Sequence, residues 1–312
     1  MLPFARVTII GLGLIGSSIA RGVRSAMPSV SLAAFDADPE VRETARALNL
    51  ADDIADSAGA AVIDADLVIL CVPVGAMGAV AGEIADDLPA EAIVSDVGSC
   101  KASVVEALTA ALPGATIVPA HPVAGTERSG PEAGFPSLFH KRWCILTPPE
   151  GTPSLAVERV AEFWRRLGAD IEVMAPDHHD RVLAVTSHLP HLIAYTVVGT
   201  ASDLEEVTSS EVIKYSAGGF RDFTRIAASD PTMWRDVFLA NREAVLDMLQ
   251  RFSEDLSELQ RAIRWGKGEQ LFDKFTETRA IRRSIIEQGQ DDARPDFGRS
   301  DHGDATPSSP RP

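Results

Sequence analysis

The sequence predicts an α/β protein in which a mostly parallel, doubly wound β-sheet is followed by a smaller all-α domain. Short β-branched runs alternate with Ala-rich helical stretches as far as about residue 175, which is the pattern of βαβ units. After residue 180 the β-runs largely stop, and Leu, Ala, Arg and Glu recur at helical spacing. We therefore expect one α/β domain over residues 1–175 and a helical domain over residues 176–290.

Six apolar runs are expected to form the strands. They lie at residues 7–10, 31–35, 67–72, 92–97, 116–120 and 143–148, and residues 171–174 are a further candidate. Each run is almost continuously apolar, as strands covered by helices on both faces require.

The helical domain carries an apolar seam with alternating steps of four and three residues. Its members are Val245, Leu249, Phe252, Leu256, Leu259 and Ile263. Such a seam must be buried against another helix, either in a bundle within the chain or in a homodimer. Residues 291–312 hold four prolines and almost no large apolar side chain, so we expect a disordered acidic tail there.

Composition narrows the classes of partner. The chain has 312 residues, with 29 Lys and Arg against 45 Asp and Glu, a net charge of −16. A surface this negative disfavours nucleic acid and anionic membranes, and an anionic substrate would need a local cluster of basic side chains. Three cysteines without CxxC spacing fit a reducing cytoplasm. We expect no membrane span, because the uncharged stretch at residues 67–82 is short and broken by Pro73.

A GxGxxG fingerprint follows the first predicted strand and opens a helix. Its glycines allow a tight turn, close approach of a pyrophosphate and close helix packing, as in Rossmann-type dinucleotide-binding domains. The motif alone is a weak signal, but the second strand ends in Asp36, 20 residues after the last glycine. The predicted cofactor-binding residues are Gly11, Leu12, Gly13, Leu14, Ile15, Gly16 and Asp36.

Asp36 bears on the choice of cofactor. A carboxylate at this position can accept hydrogen bonds from both ribose hydroxyls and repels the 2′-phosphate of NADP, so we expect NAD. The alternative is a turn residue before Asp38 and Pro39. Ligands bind outside the carboxyl ends of parallel strands, so Val72 and Pro73 should also border the cofactor.

Two motifs place candidate chemistry at the same edge of the sheet. SDVGSCK carries Ser99, and AHPVAGTERSG carries His121. A histidine beside a nicotinamide can take the proton of a hydroxyl while hydride leaves the same carbon, and Ser99 could orient that hydroxyl at the cofactor. Taken alone, His121 could equally be a structural histidine at a strand end.

Four blocks in this order resemble the prephenate/arogenate (cyclohexadienyl) dehydrogenase family of tyrosine biosynthesis. They are SDVGSCK, AHPVAGTERSG, SHLPHLIAY and KYSAGGFRDFTRIAASDPTMWRD, and the resemblance runs from about residue 6 to about residue 283. It implies NAD-dependent oxidative decarboxylation of prephenate, arogenate or both, giving 4-hydroxyphenylpyruvate, tyrosine or both.

The resemblance also implies roles for single residues. His121 would hydrogen-bond the substrate 4-hydroxyl as the catalytic base, with Ser99 supporting it, and Arg225 would bind a substrate carboxylate. His191 resembles a second substrate contact, and Thr126 and Glu127 would border the substrate.

A local cluster of basic residues fits a dianionic substrate such as prephenate. Lys214, Arg221 and Arg225 lie close together in an otherwise acidic chain, although a solvated basic helix face would give the same pattern.

The remaining histidines do not indicate a metal. His188 and His191 form an HxxH pair, but no Cys or acidic partner has a suitable spacing, so we expect helix packing for His188. His178 and His179 fall in the interdomain connection and are expected to be solvated loop residues. Trp234 is expected in the core or in the lining of the cleft.

Two other functions stay open on the sequence alone. A 3-hydroxyacid-type NAD dehydrogenase shares this architecture, and a non-catalytic NAD-binding sensor would use the fingerprint without the chemistry. Activity on β-hydroxy acids would indicate the first, and NAD binding without turnover would indicate the second.

Overall fold

The computed structural model describes residues 2–126, 128–203 and 218–287. Its first sheet has six strands in the order β3-β2-β1-β4-β5-β6, and every neighbouring pair is parallel. These strands are β1 (Arg6–Ile10), β2 (Ser31–Phe35), β3 (Asp53–Ile54), β4 (Leu67–Leu70), β5 (Ile93–Asp96) and β6 (Thr116–Ile117). Five helices connect them: α1 (Leu14–Ala26), α2 (Pro39–Ala47), α3 (Ala58–Val62), α4 (Met77–Ile84) and α5 (Ala102–Ala111).

Both faces of this sheet are covered, as its apolar strands predict. Along β1, Val7 and Ile9 belong to one buried cluster, whereas Ile10 belongs to the cluster on the opposite face. This alternation follows from the two-residue period of a strand. The prediction of a doubly wound sheet is confirmed.

The strand register brings four loops to one edge. Ile10 pairs with Phe35 on one side and with Leu70 on the other, and Leu70 pairs with Asp96. Strands β1, β2, β4 and β5 therefore end at the same level, and the segments that follow them leave the sheet side by side.

The predicted strand at residues 116–120 is wrong in one respect, because it splits between two sheets. After β6 the chain enters β7 (Ala120–Pro122), which pairs antiparallel with β8 (Trp143–Leu146), and β8 pairs parallel with β9 (Asp170–Val173). Pro119 lies at the break, and a proline has no N–H to continue a ladder. The runs at residues 143–148 and 171–174 belong to this second sheet, and β3 was not predicted.

Beyond β9 the described residues form helices, as predicted. After α6 (Ser154–Arg166), which joins β8 to β9, come α7 (Pro176–Leu183), a π-helical turn (Ala184–His188), α8 (Leu189–Asp203), α9 (Gly218–Thr224), a 3₁₀ turn (Arg225–Ala228), α10 (Pro231–Ala240), α11 (Arg242–Arg264) and α12 (Gly268–Glu287). Compact packing divides the chain after Leu249. The boundary at residues 175–176 stays a prediction.

The apolar seam is only partly buried. Val245 is buried, and Leu249, Phe252 and Leu259 are half-buried. Leu256 and Ile263 are 53% and 66% exposed, so part of the seam is not covered by the residues that the structure describes. The tail predicted at residues 291–312 lies outside the described residues.

One helical run bears on the prediction that no segment spans a membrane. Residues 182–202 contain no Asp, Glu, Lys or Arg, and this uncharged stretch is longer than residues 67–82. The run Pro176–Asp203 is long and apolar enough to cross a membrane by length and composition. The core helix of a soluble protein meets the same criterion.

Candidate active site

The glycine fingerprint forms a turn that has room for a ligand. Gly11 has a φ of +97°, and a side chain there would collide with the carbonyl oxygen of Cys71. At Gly16 a side chain would collide with the carbonyl oxygen of Gly11, so α1 packs directly against the turn. Above Gly13 there is no described atom within 4 Å of where a Cβ would lie. The backbone at Gly13 is therefore open to a pyrophosphate, at the N-terminus of α1.

Asp36 is fixed beside this turn. Its Oδ2 accepts a hydrogen bond from the Leu12 N–H at 2.7 Å, and its Oδ1 accepts one from the Asp38 N–H at 3.0 Å. The capping of α2 falls instead to Asp38, which accepts from the Glu40 N–H at 2.8 Å. The position of Asp36 fits the ribose-binding prediction. Arg42, whose Nη1 donates to the Asp36 carbonyl at 2.6 Å, is a nearby cation that the sequence reasoning overlooked.

The other predicted cofactor contacts follow the neighbouring strands. Val72 and Pro73 come directly after β4, and the Val72 side chain lies against Gly11. Ser99 follows β5 and is half-buried. The structure thus brings the predicted cofactor residues to one edge, while their contacts with NAD stay a prediction.

The SDVGSCK segment that carries Ser99 also contains a buried ion pair, which was not predicted. Asp96 and Lys101 are both fully buried, and Lys101 Nζ donates to Asp96 Oδ2 and, at 2.8 Å, to the Ala120 carbonyl. Asp96 also accepts from the Gly98 and Ala120 N–H groups, at 2.7 and 3.2 Å. The pair therefore joins the end of β5 to β7, next to His121.

His121 lies within the short strand β7 and is 7% exposed. Its Nδ1 lies 2.8 Å from Nε2 of His179, and the two rings meet edge to face. His179 Nδ1 in turn lies 2.8 Å from Oδ1 of Asp180. Asp180 accepts hydrogen bonds from the N–H groups of Lys101 and Ala102, at 2.8 and 2.9 Å.

This arrangement corrects the prediction that His178 and His179 are solvated loop residues. Both lie in α7, where His178 is exposed but His179 is fully buried. Helical periodicity explains the difference, because His179, Asp180 and Leu183 share the inner face of α7.

The environment keeps His121 neutral. Burial lowers its pKa well below the ordinary value of 6.5, and the nearby His179, Lys101 and His188 lower it further. Burial also lowers the pKa of His179, against the opposing effect of Asp180. For Asp180, burial raises the pKa, but hydrogen bonds from His179, Ala102 and Lys101 outweigh it and the net pKa is lowered. A neutral His121 near a charged Asp180 can act as a base.

On the helical side, His191 stacks on Trp234 with ring centroids 3.7 Å apart. His191 Nδ1 donates to the Ser187 carbonyl at 2.9 Å, which leaves Nε2 for another partner. Burial lowers the pKa of His191, the Ser187 carbonyl raises it, and the positive charge of Arg225 lowers it. Arg225 therefore lies near His191, as a shared substrate site requires. Trp234 packs in a small core with Cys100, next to Ser99.

His188 has the packing role that was expected. It is fully buried, and its Nδ1 accepts from Asn241 Nδ2 at 3.1 Å, while that same amide donates to the Asp180 carbonyl at 2.8 Å. Burial lowers the pKa of His188 to about 4. Asn241 was not predicted; it joins α10 to α7.

The other predicted substrate residues are not brought together by described contacts. Thr126 lies in an exposed loop, where its hydroxyl accepts from the Arg128 N–H at 3.2 Å. Arg221 is exposed on α9. Glu127 and Lys214 lie outside the described residues. In the part of the chain that is described, no group of three or more His, Cys, Asp or Glu side chains could hold a metal ion.

A glycine turn beside a ribose-type carboxylate, with a buried neutral histidine at the same sheet edge, defines a dinucleotide-dependent dehydrogenase. Comparison with known proteins shows the family. Residues 19–173 match the prephenate dehydrogenase nucleotide-binding domain, and residues 175–277 match the prephenate dehydrogenase dimerization domain. The chain therefore belongs to the prephenate dehydrogenase family.

Individual relatives support the same family. A cyclohexadienyl dehydrogenase of Zymomonas mobilis is 46% identical, over 91% of this chain and 97% of that protein. A prephenate dehydrogenase of Bacillus subtilis is 35% identical, over 86% of this chain and 73% of that protein. The crystal structure of prephenate dehydrogenase from A. aeolicus, in complex with hydroxyphenyl propionate and NAD+, has a TM-score of 0.84 and 34% identity, and covers 91% of this chain and 98% of that one.

Proposed function

We propose that this chain oxidises prephenate, arogenate or both with NAD, releasing carbon dioxide and forming 4-hydroxyphenylpyruvate, tyrosine or both, in tyrosine biosynthesis. The observation that carries the proposal is the buried, neutral His121 beside the dinucleotide-binding edge. Family membership, and the relatives named for prephenate and cyclohexadienyl substrates, support the choice of reaction.

During this reaction His121 first accepts a proton from the substrate and later returns it. NAD, when bound, would supply the acceptor for the hydride that leaves ring carbon C4. His121 takes the proton of the 4-hydroxyl, so that the O–H electrons form the C4 carbonyl as the hydride leaves. Loss of carbon dioxide returns the electrons of the broken C–C bond to the ring, which becomes aromatic. His121 then gives its proton to the phenolate oxygen, so atoms and charge balance.

The helical side supplies the groups that would hold the substrate. Arg225 has the planar fork that binds a carboxylate with two hydrogen bonds, and its charge acts on the adjacent His191. His191 is held by Ser187 and Trp234, so its Nε2 presents a fixed direction. Ser99, at the cofactor edge, would contact the 4-hydroxyl. Thr126 and Glu127 would border the same substrate.

We further propose a cytoplasmic homodimer formed through the helical domain. The match to a dimerization domain supports it, as do exposed apolar side chains such as Val185 and Phe272, 49% and 71% exposed. A second copy of the chain would cover these exposed apolar side chains, so a membrane is not needed to explain them. The net charge of −16 disfavours nucleic acid as a partner.

The proposal is tested by the initial rate of NADH formation at 340 nm with prephenate and with arogenate, each offered NAD and NADP. We expect turnover with NAD on at least one of the two. A protein that binds NAD but oxidises neither compound would contradict the proposal, and oxidation of 3-hydroxybutyrate instead would indicate a hydroxyacid dehydrogenase.

A further inference from the structure

Three side chains form a continuous chain of contacts behind the proposed base. His121 Nδ1, His179 Nε2, His179 Nδ1 and Asp180 Oδ1 follow one another, with both gaps equal to 2.8 Å. All three residues are buried. The nature of each atom then restricts where the protons can be.

The proton positions follow from Asp180. Its two oxygens accept hydrogen bonds from the Lys101 and Ala102 N–H groups, and its pKa is lowered, so it is a carboxylate that can only accept. His179 must therefore donate from Nδ1, and its neutral ring has a lone pair at Nε2. His121 donates to that lone pair from Nδ1, which leaves His121 Nε2 as the basic nitrogen.

The groups around the two histidines determine which ring can carry a positive charge. Lys101, His188 and His179 oppose a positive charge on His121, while Asp180 and Asp96 favour a positive charge on His179. Asp96 is already paired with Lys101. Asp180 is therefore the anion left to stabilise an imidazolium, and it reaches His121 only through the ring of His179.

We propose that His179 and Asp180 are positioning residues that fix the tautomer of His121 and stabilise its protonated form during the reaction. The proposal rests on the function proposed above. Neither residue needs to touch the substrate or the cofactor. A histidine oriented and polarised by a buried carboxylate is the principle of catalytic triads, here with a second imidazole in between.

Two variants test this. In His179→Gln the side-chain oxygen can still accept from His121, but the connection to Asp180 is lost; in Asp180→Asn the backbone contact can persist without the charge. We expect kcat to fall by about 10- to 100-fold in each, less than on loss of the base itself. The KM for substrate and the Kd for NAD should stay close to the parent values.

The pH profile separates this role from a merely structural one. In Asp180→Asn the stabilising anion is gone, so the pKa of His121 falls and the acid limb of kcat/KM should move to lower pH. The matched control is His178→Gln, on the exposed side of the same helix, which should match the parent in every respect. An unchanged kcat in either folded variant, or an unchanged acid limb in Asp180→Asn, would overturn the relay. An inactive parent enzyme would instead refute the proposed function.

Discussion

At the scale of single residues, the arrangement around His121 depends on Lys101. Its ammonium contacts Asp96 and the carbonyl of Ala120, and its backbone N–H contacts Asp180. One residue thus connects the end of β5, the strand that carries His121, and the start of the helical region. Burying a charge is costly unless a partner compensates it, so the two members of the pair depend on each other.

Lys101→Met should destabilise the protein by about 3–5 kcal/mol, because it leaves the buried Asp96 carboxyl, whose pKa burial already raises, without its cationic partner. The double variant Asp96→Asn, Lys101→Met should recover part of this loss, since no unpaired charge is left. Urea unfolding measures the free energies. A single variant as stable as the parent would show that Asp96 is not dependent on Lys101.

Arg225→Ala should raise the KM for prephenate by about tenfold or more, because a bidentate contact with a carboxylate is lost. The kcat should change less, since Arg225 takes no part in the proton transfer. Arg221→Ala, which removes an exposed arginine from the preceding helix, is the control and should leave KM unchanged. Steady-state kinetics of both variants give the kcat and KM values to compare. Equal effects of the two variants would mean that only the general positive field matters.

At the scale of elements, two glycines of the fingerprint turn are required for different reasons. Gly16 is needed by the fold, because any side chain there meets the Gly11 carbonyl. Gly13 has an ordinary backbone conformation, with φ −66° and ψ −161°, and open space above it. Only the ligand makes Gly13 necessary.

Gly13→Ala should therefore keep the Tm of the parent while raising the Kd for NAD, since the added methyl occupies the space of the pyrophosphate. Gly16→Ala should lower the Tm, because the turn or the helix must shift. Thermal unfolding and NAD titration of both variants provide the comparison. If Gly13→Ala bound NAD normally, the pyrophosphate would not lie over this turn.

The type and order of most secondary-structure elements could be predicted from the sequence, because periodicity and glycine spacing are local signals. The central strands, the fingerprint and the change to helices after residue 180 all have such signals. The split at Pro119 could not be predicted, because it depends on which strand β7 pairs with. The burial of His179 depended on which face of α7 packs against Lys101 and Ala102, and that contact joins residues 78 or more positions apart.

At the scale of the whole molecule, several large apolar side chains on the described helices are exposed. Phe272 and Phe275 on α12 are 71% and 54% exposed, and Ile263 and Trp265 nearby in sequence are 66% and 62% exposed. Exposed apolar surface on this scale is typical of an interaction surface, and we propose that a second copy of the chain covers it. The seam in α11 could not by itself distinguish a bundle from a dimer, because both bury the same residues.

The protein should be a dimer at micromolar concentration, and Phe272→Ser with Phe275→Ser should weaken the dimer by removing apolar area from its interface. Light scattering after size exclusion measures the mass. Glu269→Gln, at the exposed start of the same helix, should leave the mass unchanged. A parent protein that stays monomeric would refute the proposed dimer, while the account of His121 would stand.

The central claim is that His121 is the base of an NAD-dependent cyclohexadiene oxidation. The most direct test is the kcat of His121→Asn with prephenate or arogenate and NAD, because asparagine can keep the hydrogen bond to His179 but cannot take a proton. We predict a kcat at least about 100-fold below that of the parent, with an unchanged Kd for NAD. A variant that turns over at the parent rate would contradict the claim.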